Sequence, residues 1–172
     1  MRYWSIFCVL FVPTVVFAGD KLTPRPLDPP AVATLAHAIE RSAITRTLIE
    51  HLESSNVIVH IVTMAQMPDG IGGMTRFVTS RGGYRYLRIT LAAGLPLRQR
   101  SAILAHELQH AWEVARSPAT NVEEMKRLFE NEGHRAGDYY ETRAAVEVEK
   151  SVRIELTAGR TLQTEPVVKF DH

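Results

Sequence analysis

The sequence predicts an α+β domain with one N-terminal helix, a small and mainly antiparallel sheet, and further helices after the sheet. Three observations lead to this prediction. Apolar residues recur every three or four positions between residues 31 and 53, a β-branched run and a glycine-containing hairpin follow, and helical periodicity returns later in the chain. The chain has 172 residues, enough for one hydrophobic core and too few for two ordinary domains.

The first 18 residues, MRYWSIFCVLFVPTVVFA, have the pattern of a secretory signal peptide. Arg2 precedes an apolar run from about Ile6 to Phe17, and the small residue Ala18 follows the run. An uncleaved anchor helix is the alternative, but the run is shorter than the roughly 20 residues that a bilayer requires. We therefore expect cleavage after Ala18, no membrane span in the mature chain, and a secreted or periplasmic location.

Loss of the signal peptide would remove Arg2 and the only cysteine, Cys8. The full chain has 20 Lys+Arg and 19 Asp+Glu, so removing one arginine leaves 19 of each. This balance, without a basic cluster in the sequence, argues against nucleic-acid binding, which needs several phosphate-neutralising side chains. A cysteine-free secreted domain must be stabilised by its core or by a metal ion.

Residues 19–30, GDKLTPRPLDPP, are rich in proline and predict an extended leader. The periodicity over residues 31–53 predicts a single amphipathic helix after these prolines. The segment NVIVHIVTM, residues 56–64, is dense in β-branched residues and predicts a buried strand. The segments TRFVTS and YRYLRITL flank a turn of Arg81, Gly82 and Gly83, which indicates a β-hairpin.

Three helices are predicted after the hairpin. The first begins after Leu95-Pro96 and ends near Ser117-Pro118, where proline prevents continuation. The second extends from about Val122 to Glu132 and ends at Gly133, and the third extends from near Asp138 to about Leu156. The predicted domain therefore comprises residues 31–156, and residues 157–172 form a tail without strong periodicity.

The first of these helices contains the motif HELQH within the segment SAILAHELQHAWEVA. Apolar residues at helical spacing predict a core-facing stripe, formed by Leu104, Leu108, Ala111, Trp112 and Ala115. His106 and His110 lie off this stripe and one turn apart, so their imidazoles can bind one metal ion. Glu107 lies about 100° around the helix, close enough to reach a water on that ion without replacing it.

Zinc suits this set of residues, because it binds neutral imidazoles and lowers the pKa of its water, whose proton a carboxylate can take. The composition of the chain gives about 0.02 HExxH motifs by chance. The alternative is a solvated or structurally satisfied histidine pair.

The HELQH motif after a strand hairpin resembles the zincin metallopeptidases, in which two histidines and a glutamate on one helix form half of the active site. Metzincins extend the motif to HExxHxxGxxH, but here Glu113 and Arg116 occupy the glycine and third-histidine positions. The gluzincin branch takes its third ligand from a glutamate on a later helix. By this resemblance, Glu141 is the candidate third ligand.

Glu141 also stands out in the helical pattern predicted for residues 138–156. It shares a face with small and apolar residues, namely Ala144, Ala145, Val148 and Val152. Burying the negative charge of a glutamate on a core-facing stripe is costly unless a cation lies beside it, and a metal ion bound to the neighbouring helix would be such a cation. The same pattern places Glu147 and Glu149 elsewhere, beside Arg143 or Lys150. Gluzincins often carry an acidic residue four positions after the third ligand, but this chain has Ala145 there.

A capping box is the alternative interpretation of Glu141, with Asp138 as the N-cap and Glu141 bonding back to the backbone. We prefer the ligand, because Ala144 and Ala145 would let this helix approach the HELQH helix closely.

Other residues could complete the site. Glu113 lies on the face of both histidines and could orient a ligand imidazole through its second nitrogen. His134 could be a ligand or an oxyanion donor, although a surface loop histidine is the simpler interpretation. Tyr139 and Tyr140 are possible donors to a tetrahedral intermediate, although aromatic packing is usual for both.

The sequence thus predicts a secreted zinc metallopeptidase that acts on a peptide or protein substrate, with Glu107 as general base and His106, His110 and Glu141 as ligands. By resemblance to zincins, the strand Tyr84–Leu91 would bind substrate as an added antiparallel strand. Two alternatives remain open. One is a catalytically silent zincin-fold binding module, and the other is a structural zinc with His134 as a fourth ligand.

Overall fold

The computed structural model describes residues 23–68, 70–136 and 139–158. The predicted signal peptide and most of the predicted tail lie outside these ranges. The elements in chain order are β1 Arg25–Pro26, α1 Pro29–Arg41, α2 Ala43–Glu53, β2 Val57–Met64, β3 Gly73–Arg81, β4 Tyr84–Ala92, α3 Leu97–Arg116, α4 Val122–Glu132, β5 His134–Ala136, β6 Tyr139–Glu141 and α5 Arg143–Ala158. The predicted α+β class is confirmed.

The main sheet has four strands in the order β1-β2-β4-β3. Strands β3 and β4 form the predicted antiparallel hairpin, and Gly82 and Gly83 take the positive φ values of 60° and 81° that its turn requires. Strand β4 pairs in parallel with β2, and β1 also pairs in parallel with β2. The sheet is therefore mixed rather than mainly antiparallel, since two of its three pairings are parallel.

Part of the predicted leader belongs to the folded domain. Strand β1 lies within residues 19–30 and pairs with β2. The buried hydroxyl of Thr23 accepts a hydrogen bond from the backbone N–H of Val59 at 2.9 Å. The Asp28 carboxylate caps α1 at Ala31 and accepts from the backbone N–H of Thr63. The predicted leader is extended at β1, but from Thr23 onward it belongs to the folded domain, because Thr23, β1 and Asp28 all bond to β2.

The predicted helix over residues 31–53 is two helices that meet at Ser42. This residue has extended backbone angles, φ −130° and ψ 118°. Its hydroxyl accepts a hydrogen bond from the backbone N–H of Thr45 at 3.0 Å and donates to Glu155 of α5 at 2.5 Å. Ser42 therefore ends α1, caps α2, and connects both to the last helix.

Helix α3 lies at the centre of the molecule, between the sheet and the other helices, and residues 100–111 are buried without interruption. The core combines side chains from one face of the sheet with side chains of α3, including Val59, Ile61, Leu87, Ile89, Leu91, Leu104, Leu108 and Val114. Because α3 is enclosed on nearly all sides, polar side chains within it also lie inside the protein. His106, Glu107 and His110 are among them.

Arg85 of β4 fixes the C-terminal end of α3 and is itself only 6% exposed. Its guanidinium donates to the side-chain oxygen of Asn56 and to four carbonyl oxygens, those of Val114, Ala115, Ser117 and Ala119. Val114 and Ala115 lie in the last turn of α3, where carbonyls lack the N–H partner four residues on, and Ser117 and Ala119 lie just after the helix. The bonds hold α3 in register with the sheet.

The last part of the chain differs from its prediction at one place. Helix α4 has the predicted bounds, but α5 begins at Arg143 rather than near Asp138. The residues before α5 form β6, which pairs antiparallel with β5. The Thr142 hydroxyl accepts from the backbone N–H of Ala145 at 3.2 Å and so caps α5. Among the residues described, no helix is both long and apolar enough to cross a membrane.

Candidate metal centre

His106 and His110 point their Nε2 atoms at each other across 3.1 Å. Both side chains lie on α3, one helical turn apart, and each residue is 6% exposed. Their rings are 4.8 Å apart and nearly perpendicular, and the ring of Phe129 from α4 lies against His110 at 5.0 Å. The helix therefore presents two adjacent nitrogen donors in a largely buried position.

Glu141 supplies the third donor. Its Oε2 atom is 2.9 Å from Nε2 of His106 and 3.9 Å from Nε2 of His110. Among the residues described, these three form the one group of at least three such side chains that could share a metal ion. The predicted residues are thus brought together, but Glu141 ends strand β6 and does not lie on a helix. The capping box is excluded, because Thr142 is the residue that caps α5.

The geometry of the three donors fits a metal ion. Their separations place them on a circle of radius about 2 Å, which matches the usual distance from a metal to its nitrogen and oxygen ligands. Oε2 of Glu141 is buried and has no hydrogen bond of acceptable geometry. Buried carboxylate oxygens are normally hydrogen-bonded or bound to a cation. A metal ion would satisfy this atom and both imidazoles at once.

Glu113 holds His110 from behind, as the sequence predicts. Its Oε2 lies 2.9 Å from Nδ1 of His110, and its Oε1 accepts hydrogen bonds from Gln109 at 3.2 Å and from the Thr142 hydroxyl at 2.7 Å. Burial would raise the pKa of this carboxyl, but these bonds, above all the one to His110, lower it. An ionised Glu113 favours the N–H on Nδ1 of His110 and leaves Nε2 as the atom that faces the site.

Glu149 lies beside the other ring nitrogen of His106, within ion-pair distance but without the geometry of a hydrogen bond, which the sequence did not predict. The helical pattern placed this residue away from the site, but its Oε2 is 3.2 Å from Nδ1 of His106. Arg153 donates from two nitrogens to the other oxygen, Oε1. Glu147, by contrast, pairs with Arg143 at the surface, as predicted. Glu149 lies four positions after Ala145 and three before Val152, which are both fully buried, so it shares their face of α5.

Glu107 lies beside the two histidines, with its carboxylate held by β3. The Thr75 hydroxyl donates to its Oε2 at 2.7 Å. Gly73 allows this approach, because a Cβ atom there would lie 2.8 Å from Oε1 of Glu107 and 2.5 Å from Ile103. Burial raises the pKa of Glu107, and the charges of His110 and His106 only partly oppose this shift. A carboxyl with a raised pKa is suited to accept and return a proton.

The protonation of the metal-free site follows from its carboxylates. Burial alone would lower the pKa of both histidines, but Glu141 and Glu149 raise that of His106 to about 10, and Glu113 and Glu141 raise that of His110 to about 9. Burial would raise the pKa of Glu141, but the two imidazoles lower it to about 2. Without a metal ion, the protonated imidazoles therefore supply the positive charge that balances Glu141.

The other predicted residues do not join the three donors. His134 pairs with Glu141 in the hairpin of β5 and β6, but its side chain is exposed and is not part of the metal-binding group. This removes the fourth ligand that the structural-zinc alternative required. Tyr140 lines the cleft, where its hydroxyl donates to Glu130 at 2.9 Å. The side chain of Tyr139 lies outside the described part of the structure.

The site opens into a cleft of about 1460 Å³. One wall is β3 with the loop before it, and the opposite wall is the apolar face of α4, formed by Val122, Met125 and Phe129. Strand β3 is at the edge of the sheet, whereas β4 is paired on both sides. The prediction that the strand Tyr84–Leu91 receives an added strand is therefore wrong, because its hydrogen-bonding groups are already used by β2 and β3.

Comparison of the chain with known protein families, curated proteins and solved structures finds no match. The case for a function therefore depends on the geometry of the site.

Proposed function

We propose that this chain is a zinc-dependent metallopeptidase of the zincin type, secreted or periplasmic, that hydrolyses peptide bonds. The observation that carries the proposal is the convergence of His106, His110 and Glu141 on one point, with the carboxylate of Glu107 beside them in the same cleft. Two imidazoles and one carboxylate form a typical protein ligand set of catalytic zinc, which keeps one position for water or substrate.

The ligand chemistry favours zinc over calcium or magnesium, since those ions prefer oxygen ligands. A zinc ion at this site would polarise the scissile carbonyl group and lower the pKa of an attacking water.

Glu107 is the residue that moves the proton in this proposal. Its carboxylate accepts a proton from the attacking water and donates it to the amine that leaves when the C–N bond breaks. Thr75 and Gly73 keep the carboxylate at one position, the first by a hydrogen bond and the second by the absence of a side chain. No role in mere binding requires a glutamate at this position, which favours the peptidase over a silent binding module.

The cleft also supports a peptide as the substrate. The unpaired edge of β3 borders the cleft, so an extended peptide could add to the sheet beside the site. Such pairing recognises the backbone, and the apolar residues of α4 would contact one side chain of the peptide. We therefore expect broad sequence specificity with a preference for an apolar side chain next to the cleaved bond.

The Glu107→Gln variant tests the proposal. Residues 19–172, loaded with zinc, would be assayed on a fluorescence-quenched peptide library and on casein, and metal content would be measured in parallel. We expect wild-type cleavage that a chelator abolishes, and a variant that retains its zinc but loses activity by at least about 100-fold. Equal activity of the variant, or no cleavage of any substrate by zinc-loaded wild type, would contradict the peptidase proposal.

A further inference from the structure

The face of the sheet that points away from α3 carries a row of basic side chains that crosses all four strands. Arg25 of β1 is in register with His60 of β2, His60 with Arg88 of β4, and Arg88 with Arg76 of β3. Residues in register on adjacent strands project from the same face at a separation of about 5 Å. We call these four residues the arginine row.

The arginine row lies on the face opposite the core. Its neighbours along each strand, such as Ile61, Leu87 and Ile89, are fully buried against the helices, so the row projects from the other side. Arg76 and Arg88 are exposed. Burial and then the charges of Arg25 and Arg88 lower the pKa of His60, which agrees with their proximity.

Arg76 lies opposite Arg88, and like charges in register across strands destabilise a sheet unless an anion compensates them. The register places no aspartate or glutamate on this face within the described strands, whose other members there are Ile58, Val62, Met64, Met74, Thr79, Arg81, Tyr84, Tyr86, Thr90 and Ala92. Arg81 extends the positive charge toward the hairpin turn. Half-buried Tyr86, stacked on His60 with centroids 6.3 Å apart, adds an aromatic surface beside the row.

We propose that the arginine row is a docking surface for an acidic segment of another protein. Guanidinium groups bind carboxylates with paired hydrogen bonds, and groups spaced across the strands can bind successive acidic side chains. The row is local and the chain as a whole has a net charge of only +1. A short acidic segment needs only this patch, whereas affinity for a nucleic acid grows with the number of phosphates that are neutralised, and the row contains three arginines.

The docking surface lies on the reverse of the strand that borders the metal centre. Arg76 belongs to the row, and its neighbour Thr75 points the other way and contacts Glu107. Arg76 also borders the cleft at this edge of the sheet, so a protein bound at the row would lie beside the cleft. The binding itself does not depend on hydrolysis, so the surface can be tested whether or not the chain is a peptidase.

The test measures binding of a fluorescently labelled oligoglutamate peptide to residues 19–172 by anisotropy at low salt. We expect Arg88→Gln and Arg76→Gln each to weaken binding roughly 2- to 5-fold and the double variant about 10-fold. Arg98→Gln removes the same charge from an exposed position on α3 and should leave binding unchanged. Thermal unfolding of each variant would verify that it is folded.

Three results would overturn the proposal. One is that the peptide does not bind, and another is that Arg88→Gln and Arg98→Gln bind it equally. The third is that a single-stranded oligonucleotide, or a vesicle of phosphatidylserine and phosphatidylcholine, binds through Arg88 when the peptide does not. Weakening of peptide binding by added salt is expected, because the surface contacts are exposed.

Discussion

The Thr142 hydroxyl donates a hydrogen bond to Oε1 of Glu113 across 2.7 Å, and this bond joins the two halves of the candidate metal centre. Glu113 lies on the helix of both histidines and contacts His110 through its other oxygen. Thr142 follows Glu141 directly and caps α5. The buried carboxylate of Glu113 thus orients His110 and also holds Thr142, the residue next to Glu141.

Replacement of Thr142 by valine should remove the hydrogen bond that connects α3 to the segment carrying Glu141. The variant keeps the shape of the side chain but loses the bond to Glu113 and the cap of α5. We expect zinc affinity to fall roughly 10-fold and the free energy of unfolding to fall by about 1–2 kcal/mol. Competition with a chelator measures the first and urea unfolding of the metal-free chain the second. Thr142→Ser should restore both, and a serine variant as weak as the valine variant would argue against the role of the hydroxyl.

Removal of the Glu149 charge tests whether this residue positions His106. Glu149→Gln weakens the contact with Nδ1 of His106, so we expect zinc to bind roughly 10-fold more weakly. Glu147→Gln is the matched control, because it removes the same charge from the same helix but only from a surface pair with Arg143. Equal zinc affinity in the two variants would show that Glu149 does not act on the site.

A methyl group at Gly73 should displace the carboxylate of Glu107. In Gly73→Ala the new Cβ would collide with Ile103 and Oε1 of Glu107. We expect loss of hydrolysis by at least about 10-fold with zinc retained, since the metal ligands are untouched. Gly94→Ala is the control, because nothing lies within 4 Å of a Cβ there. Full activity of Gly73→Ala would mean that the position of Glu107 is not critical.

Zinc affinity should increase with pH. The metal-free site holds protons, because the pKa values of His106 and His110 are raised to about 10 and about 9. Zinc binds only neutral imidazole, so binding at pH 7 releases at least one proton. Between pH 7 and pH 9 we expect affinity to rise about 10-fold per pH unit for each proton released. Chelator competition at several pH values measures this, and affinity that is constant over the range would contradict the proton count.

Local sequence patterns were sufficient for the helices that carry the site. The bounds of α4 are as predicted, and α3 begins directly after Pro96 and ends before Pro118, because proline and glycine mark those ends strongly. The HELQH spacing also fixed the relation between His106 and His110, since both lie on one helix. Glu113 could be placed beside the two histidines for the same reason, and the structure shows that it contacts His110.

Tertiary pairing determined what the sequence did not predict. A three-residue strand such as β6 is too short to show alternation, so Glu141 was assigned to a helix, although the structure does bring it to the two histidines. The role of Glu149 depends on which face of α5 packs on α3. The parallel pairing of β2 with β4 leaves no local pattern in the chain. This pairing makes β3 the edge strand and creates the arginine row.

The metal content of residues 19–172, purified without a chelator, tests the central claim most directly, with wild type and Glu141→Ala compared side by side. We predict about one zinc ion per wild-type chain and little zinc in the variant, which should remain folded. Wild type that holds no metal after incubation with zinc would contradict the metal centre. A variant that retains its zinc would contradict the assignment of Glu141 as the third ligand.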